Sequence, residues 1–274
     1  MTAQRLDVWL VEQGYFPSRQ RAQGAIMAGR VLVNGVKVDK AGYRVPPGAA
    51  VEVKPDPLPF VSRGGLKLNH ALDVFGVDPA GRVALDAGAS TGGFVDCLLS
   101  RGAALVYAVD VGYGQLDWRL RNDPRVRVME RTNLRHLDPA ELDPRPDLIT
   151  LDLSFISLTL VLPNVARCLQ PRGEVLPLVK PQFEAGRQAV GKGGIVRDPA
   201  VHREVLHKVA AAAQGEGFQV WGVTPSPILG ADGNREFFLW LRRGYASEEG
   251  QGPLAGEAWE QAVLAVTAED ATTS

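Results

Sequence analysis

The chain has 274 residues, 45% hydrophobic and 22% charged. That is enough for one large or two ordinary domains with a real core, and it excludes disordered, collagen-like and disulfide-stapled classes. The net charge of −1 hides unlike pieces: residues 1–54 hold eight basic and four acidic groups (+4), the stretch after Tyr245 holds six acids and no base (−6), and the middle is left with +1. A basic head and an acidic tail form an asymmetry that points to nucleic acid.

In chain order, Leu6, Trp9 and Leu10 have helical spacing. A second helix is predicted after Ser18, a plausible N-cap, with Gly29 as its stop. Val31-Leu32-Val33-Asn34-Gly35-Val36-Lys37-Val38 is two β-branched runs joined by Asn-Gly, a strong hairpin signal. Residues 51–53 alternate as a further strand. Three prolines at every second position over 55–59 predict a stiff, extended linker.

Beyond the linker a helix is expected from 65, on Leu68, Ala71, Leu72 and Phe75. Strands are then predicted at 83–85, 105–109, 126–129, 148–153, 175–179, 218–223 and 236–241. Helices are predicted at 94–100, ending near 169, and at 201–213. This alternation implies an α/β domain with a mostly parallel sheet and a ligand crevice at the strands' carboxyl ends. The domains expected are 1–54, a linker at 55–61, a catalytic domain at 62–245, and a tail at 246–274 that is flexible apart from one short helix at 257–266.

Met1 is not followed by a basic stretch and an apolar run, so no secretory signal is read. The most apolar stretch, 148–162, contains Asp152 and falls short of the ~20 residues a spanning helix needs. Cys97 and Cys168 sit in apolar surroundings and read as reduced core residues of a cytoplasmic protein. The four histidines show no metal-ligand spacing, so no metal is expected.

The densest chemistry is Leu85-Asp86-Ala87-Gly88-Ala89-Ser90-Thr91-Gly92-Gly93-Phe94, a strand, a glycine-rich turn and a helix start, with Asp110 ending the next strand. The G-x-G-x-x-G fingerprint of NAD sites fails here. Gly88-Ala89-Ser90-Thr91-Gly92 is a literal G-x-S-x-G, but a hydrolase needs preceding strands and an oxyanion loop that are missing. An S-adenosylmethionine site fits better, with the loop around the amino-acid part and Asp110 on the ribose. Asp152 and Lys180 lie in otherwise apolar strands, where a charge is costly unless paired or functional.

These residues resemble the TlyA family of ribosomal RNA 2′-O-methyltransferases, often labelled haemolysins. The resemblance rests on 86–94, Val106-Tyr107-Ala108-Val109-Asp110-Val111-Gly112-Tyr113-Gly114-Gln115-Leu116, Glu130-Arg131-Thr132-Asn133, Phe60 to Leu68, Leu151-Asp152-Leu153-Ser154-Phe155-Ile156-Ser157, Leu178-Val179-Lys180-Pro181-Gln182-Phe183-Glu184 and Gly233 to Phe238. With the front module it covers residues 1 to about 243. It implies a Rossmann-like, FtsJ-like S-adenosylmethionine-dependent methyltransferase domain behind a small α+β S4-like RNA-binding domain.

For the reaction it implies a Lys-Asp-Lys-Glu set at Lys67, Asp152, Lys180 and Glu236, with Lys180 central as either base or positioning group. For the cofactor it implies Asp86, Gly88, Ser90, Thr91, Gly92, Gly93, Phe94 and Asp110, with Asn133 at the adenine. Arg5, Arg19, Arg21, Arg30, Lys37 and Arg63 are the RNA-binding candidates, consistent with phosphate neutralisation by a basic module. Tyr113, Phe155 and Phe183 are candidates to stack on a base. The implied substrate is cytidine in ribosomal RNA, within subunits or ribosomes; no membrane is involved and the oligomeric state is left open. The alternatives are a ribosome assembly factor without catalysis and a membrane-active haemolysin.

Overall fold

The computed structural model describes residues 4–16, 18–54, 58–230, 232–247 and 252–268. The chain divides into two compact units, Met1–Pro59 and Phe60–Ser274.

In the first unit β1 (Gln4–Arg5) leads into α1 (Leu6–Glu12) and α2 (Arg19–Met27). Ser18 caps α2 by accepting a hydrogen bond from the Arg21 N–H. β2 (Val31–Val33) and β3 (Val36–Val38) form the expected hairpin. Asn34 (φ +50°) and Gly35 (φ +76°) both take the left-handed conformation a two-residue turn needs. β4 (Arg44–Val45) pairs with β1, and β5 (Val51–Val53) pairs with the outer side of β2. Leu6, Leu10, Ala22, Ala25, Ile26 and Val31 close a small core.

In the second unit α3 (Gly64–Phe75) is followed by β6 (Val83–Ala87), α4 (Gly93–Ser100), β7 (Leu105–Val109), the single-turn α5 (Trp118–Arg121) and β8 (Val126–Met129). Then come β9 (Leu148–Leu151), α6 (Leu162–Cys168), β10 (Gly173–Val179), the single-turn α7 (Pro181–Glu184), α8 (Pro199–Gly215), β11 (Gln219–Pro225), β12 (Phe237–Arg243) and α9 (Gly256–Thr267). Seven strands join in the order β11-β12-β10-β9-β6-β7-β8. Five are parallel; β12 runs antiparallel between β10 and β11. β9 and β10 are buried on both faces, which is why they read as continuous apolar runs.

Two expectations change. Phe60 and Val61 are not linker. Phe60 packs on Gly65, and the Val61 N–H donates to Asp96 Oδ2 at 2.7 Å; Pro55, Asp56 and Pro57 lie outside the described residues. The tail is not loose over Gly252–Ala268. Trp259 and Val263 on α9 are buried in the main core with Leu206, Val209 and Val220, and Trp259 Nε1 donates to His207 Nδ1 at 2.9 Å. Trp259, Val263 and Thr267 recur at i, i+4, i+8, a stripe that the acids Glu257 and Glu260 conceal in a charge count.

Candidate active site

The carboxyl ends of β6, β7 and β9 open onto a cleft of about 490 Å³, within the range of small-molecule sites. Ala87, Gly88, Ser90, Asp110, Asn133, Asp152, Ser154 and Phe155 are among its walls. Gly88 (φ +84°) carries the loop away from β6 hard against the Asp152 backbone; a Cβ there would lie 2.3 Å from the Asp152 carbonyl oxygen. Asp110 accepts from the Ser90 N–H and the Gly112 N–H, each at 2.7 Å. Each carboxylate oxygen retains a further lone pair. The acid is therefore oriented by backbone and still able to accept from ribose hydroxyls. Asn133 caps a short turn by accepting from the Arg135 N–H.

Not all of the expected cofactor residues face this cleft. Thr91 is exposed on the loop, outside the lining residues. Gly92 and Gly93 allow close packing instead, Gly92 on Leu116 and Leu120 and Gly93 on Ser62 and Gly65. Phe94 points into the core against Phe238, at 6.0 Å between ring centres. Asp86 is buried behind the loop, where Thr150 Oγ1 donates to its Oδ1 at 2.7 Å and Oδ2 has no hydrogen-bond partner among the described residues. These residues build the site from behind.

Burial pushes the Asp86 carboxyl up to about 8; the Thr150 hydroxyl opposes the shift, while Asp152 and Asp110 add to it. In the unfolded chain the same group titrates near ~3.9. Between these values the folded state holds the extra proton, so this group's contribution to stability is complete below about pH 4 and is lost as pH rises through about 8. Asp86→Asn keeps the acceptor for Thr150 and removes the titration. Its urea midpoint is expected to fall less than wild type's between pH 5 and 8.5; superimposable pH profiles would refute this assignment.

The four expected reaction residues form two ion pairs. Lys180 Nζ lies 2.6 Å from Asp152 Oδ1 and donates to Ser154 Oγ at 3.0 Å. That Asp152 oxygen makes no well-directed hydrogen bond among the described residues, so the contact is ionic. Lys67 Nζ lies 2.5 Å from Glu236 Oε2. The last ladder pair between β10 and β12 is Val179 with Phe237, which sets Lys180 and Glu236 side by side at the same sheet edge. Lys67 therefore answers Glu236 directly rather than standing as a free cation beside Lys180. A hydrolase would need His202 or His207 as the base for Ser90, but among the described residues the Ser90 hydroxyl bonds Gln115 and no histidine; His202 is buried with Nε2 on the Val196 carbonyl, and His207 Nδ1 accepts from Trp259.

Among the RNA-binding candidates, Arg5 and Arg19 are exposed yet both bond the buried Asp7 carboxylate, with Gln23 as a third donor. The Arg5 guanidinium foremost holds the Asp7 carboxyl far below the usual range. Asp7 thus fixes two guanidinium groups on one face. Arg21 is exposed on α2, Arg30 donates to the Lys54 carbonyl, and the Lys37 stem lies across Gly29. Arg63 is exposed one turn ahead of Lys67. Phe155 is 91% exposed with φ +64°, its ring 5.1 Å from that of Phe183. Exposed Tyr113 carries the Arg131 guanidinium 4.5 Å from its ring centre. Arg131 stands in the sequence only as part of the 130–133 motif; its pairing with Tyr113 is not visible there because the two lie 18 residues apart.

Residues 60–243 match the FtsJ-like methyltransferase model, and residues 4–51 match the S4 domain model. The 16S/23S rRNA (cytidine-2'-O)-methyltransferase TlyA of Mycobacterium tuberculosis is 50% identical over 239 residues, covering 87% of this chain and 89% of that protein. The chain belongs to the TlyA family of FtsJ-like methyltransferases. Hemolysin A of Brachyspira hyodysenteriae is 42% identical, over 85% of this chain and 97% of that protein. A solved structure from Streptococcus thermophilus, under a provisional hemolysin label, superposes with a TM-score of 0.73 at 43% identity, over 97% and 96% of the two chains.

This membership makes the second unit an S-adenosylmethionine-dependent methyltransferase domain behind an S4 domain. The residues present fit that cofactor: a glycine cradle that a Cβ would fill, an acid oriented by backbone N–H groups with lone pairs left for hydroxyl donors, and a cleft of the right size. No helix among the described residues is long and apolar enough to cross a membrane.

Proposed function

We propose that this chain methylates a ribose 2′-hydroxyl of ribosomal RNA, with cytidine as the target nucleoside. The observation that carries this reading is Lys180, held by Asp152 and Ser154 at the wall of the cofactor cleft with the Lys67–Glu236 pair beside it. Bound S-adenosylmethionine supplies a methyl group already activated by its sulfonium. The protein must place the hydroxyl oxygen in line and take away its proton. Lys180 Nζ meets the attacking oxygen as orienting group or proton acceptor, and the hydroxyl proton is taken up by the Lys180–Asp152 pair. Lys67 and Glu236 hold the far side of the ribose.

A 2′-hydroxyl marks RNA, and splayed nucleotides are the usual targets of single-base recognition. Phe155, turned outward beside the cleft, offers a flat apolar face for the extruded base; Tyr113 with Arg131 offers a second. In this reading residues 1–54 supply most of the phosphate contacts, through the arginines that Asp7 organises.

The test is transfer of labelled methyl groups to separated ribosomal subunits and to intact ribosomes. Label recovered in an alkali-resistant dinucleotide supports ribose methylation, and the particle labelled identifies the substrate. Ribosome binding without transfer to any particle would favour the assembly-factor alternative.

A further inference from the structure

Glu184 is a buried carboxylate, 4% exposed, and the reaction scheme above does not use it. It lies at the end of α7, the single turn that follows Lys180. Its Oε2 accepts from Ser157 Oγ at 2.6 Å, and its Oε1 accepts from the Leu158 N–H at 2.6 Å. Both donors belong to the far end of the loop that begins at Asp152. The near end of that loop is held by Lys180, through Asp152 and Ser154. Between the two ends Phe155 packs on Phe183. Segments 152–158 and 180–184 are thus joined at three successive points, ionic, aromatic and hydrogen-bonded.

The Glu184 end is also fastened to the body of the domain. Lys208, on the long helix α8, donates to the Glu184 carbonyl at 2.7 Å and stands 3.7 Å from its carboxylate. Hydrogen bonds to a buried charged acceptor are among the stronger ones. Without them, the far end of the loop loses its two bonds to the 180–184 segment, and only the Lys180 contacts and the Phe155–Phe183 packing still join the two segments.

We propose that Glu184 is a positioning residue for the reaction: it clamps the 152–158 loop so that Asp152 and Ser154 meet Lys180 and Phe155 stays turned outward. This rests on the methyl-transfer reading. The clamp makes a definite chemical demand, two acceptor positions at one buried site. A glutamine meets most of it, because its carbonyl can accept from the Leu158 N–H while its amide group donates to the Ser157 hydroxyl. An alanine meets none of it.

The experiment uses the full chain with Glu184→Gln, Glu184→Ala and Ser157→Ala. Single-turnover methyl transfer to ribosomal particles, S-adenosylmethionine affinity and amide hydrogen exchange are measured on each. Small misplacements at a reacting centre are costly, so Glu184→Ala should slow single-turnover transfer by at least about tenfold with the RNA KM nearly unchanged. Amides 153–158 should exchange faster while those of β6 and β10 keep their protection, and Glu184→Gln should restore both readouts. Ser157→Ala, which removes one bond and is the gentler change, should move the loop amides in the same direction.

A wild-type rate with unchanged loop exchange in Glu184→Ala would overturn the proposal. So would exchange raised across the whole sheet with no recovery in Glu184→Gln, which is the mark of a merely structural group. If the wild type itself transfers no label, the methyl-transfer reading fails, while loop exchange still decides whether Glu184 clamps the loop.

Discussion

Lys180→Ala is expected to lower methyl transfer by about 10²–10⁴-fold, the range for losing a group that handles a proton at the reacting atom. S-adenosylmethionine affinity should stay near wild type, because Lys180 touches the cleft wall through Asp152 and Ser154 but is not itself part of it. Single-turnover transfer and calorimetric titration of the cofactor make the comparison. Near-normal transfer with intact cofactor binding would remove Lys180 from the reaction.

A second variant separates the two roles open to the lysine. Arginine keeps the charge but does not deprotonate. Residual transfer in Lys180→Arg well above that of Lys180→Ala therefore assigns an orienting role. Equal loss in both assigns a proton-accepting one.

Gly88→Ala should be the most damaging small change in the cofactor loop. The left-handed backbone alone costs a non-glycine residue about 1–2 kcal/mol. The new Cβ would also meet the Asp152 carbonyl oxygen at 2.3 Å and its carbon at 2.9 Å. Both are backbone atoms at the end of a buried strand, so neither gives way as a side chain does. Overpacking of this kind adds about 1–3 kcal/mol. We expect a total loss of about 2–5 kcal/mol in urea unfolding and cofactor binding weakened by at least about tenfold.

Gly92→Ala is the control. It has the same backbone handicap at φ +97°, but its Cβ meets only the tips of Leu120 and Leu116. It should cost clearly less. Equal effects at the two positions would show that backbone conformation, not the approach to Asp152, sets the requirement for glycine at 88.

Much of this was legible in the residues. The Asn34-Gly35 hairpin followed from turn chemistry, and the strands of the sheet from apolar runs ending in polar groups. Asp152 and Lys180 stood out because a charge closing an apolar run needs a reason; the structure places each one residue past its strand and supplies the reason as an ion pair. α9 was half legible: its helix was expected, but its burial was masked by acids on the outer face. Glu184 gave little signal, since a carboxylate after an aromatic on a surface-like turn looks solvated until its two donors are known. The inward turn of Asp86 and Phe94 was likewise hidden, because the glycine-rich pattern they belong to is the same whether a side chain lines the ligand or the core.

By itself, then, the sequence determined the element types, their alternation and the charge-bearing strand ends, because these depend on local periodicity and turn conformation. Partner and direction were decided by the tertiary structure. Lys67 meets Glu236 across 169 residues of chain, and Asp7 on α1 gathers Arg5 from a strand and Arg19 and Gln23 from the next helix. The physical reason is the cost of a buried charge: it must find an opposite charge or donor wherever the packed backbone brings one within about 3 Å, and no local rule in the chain says where that is.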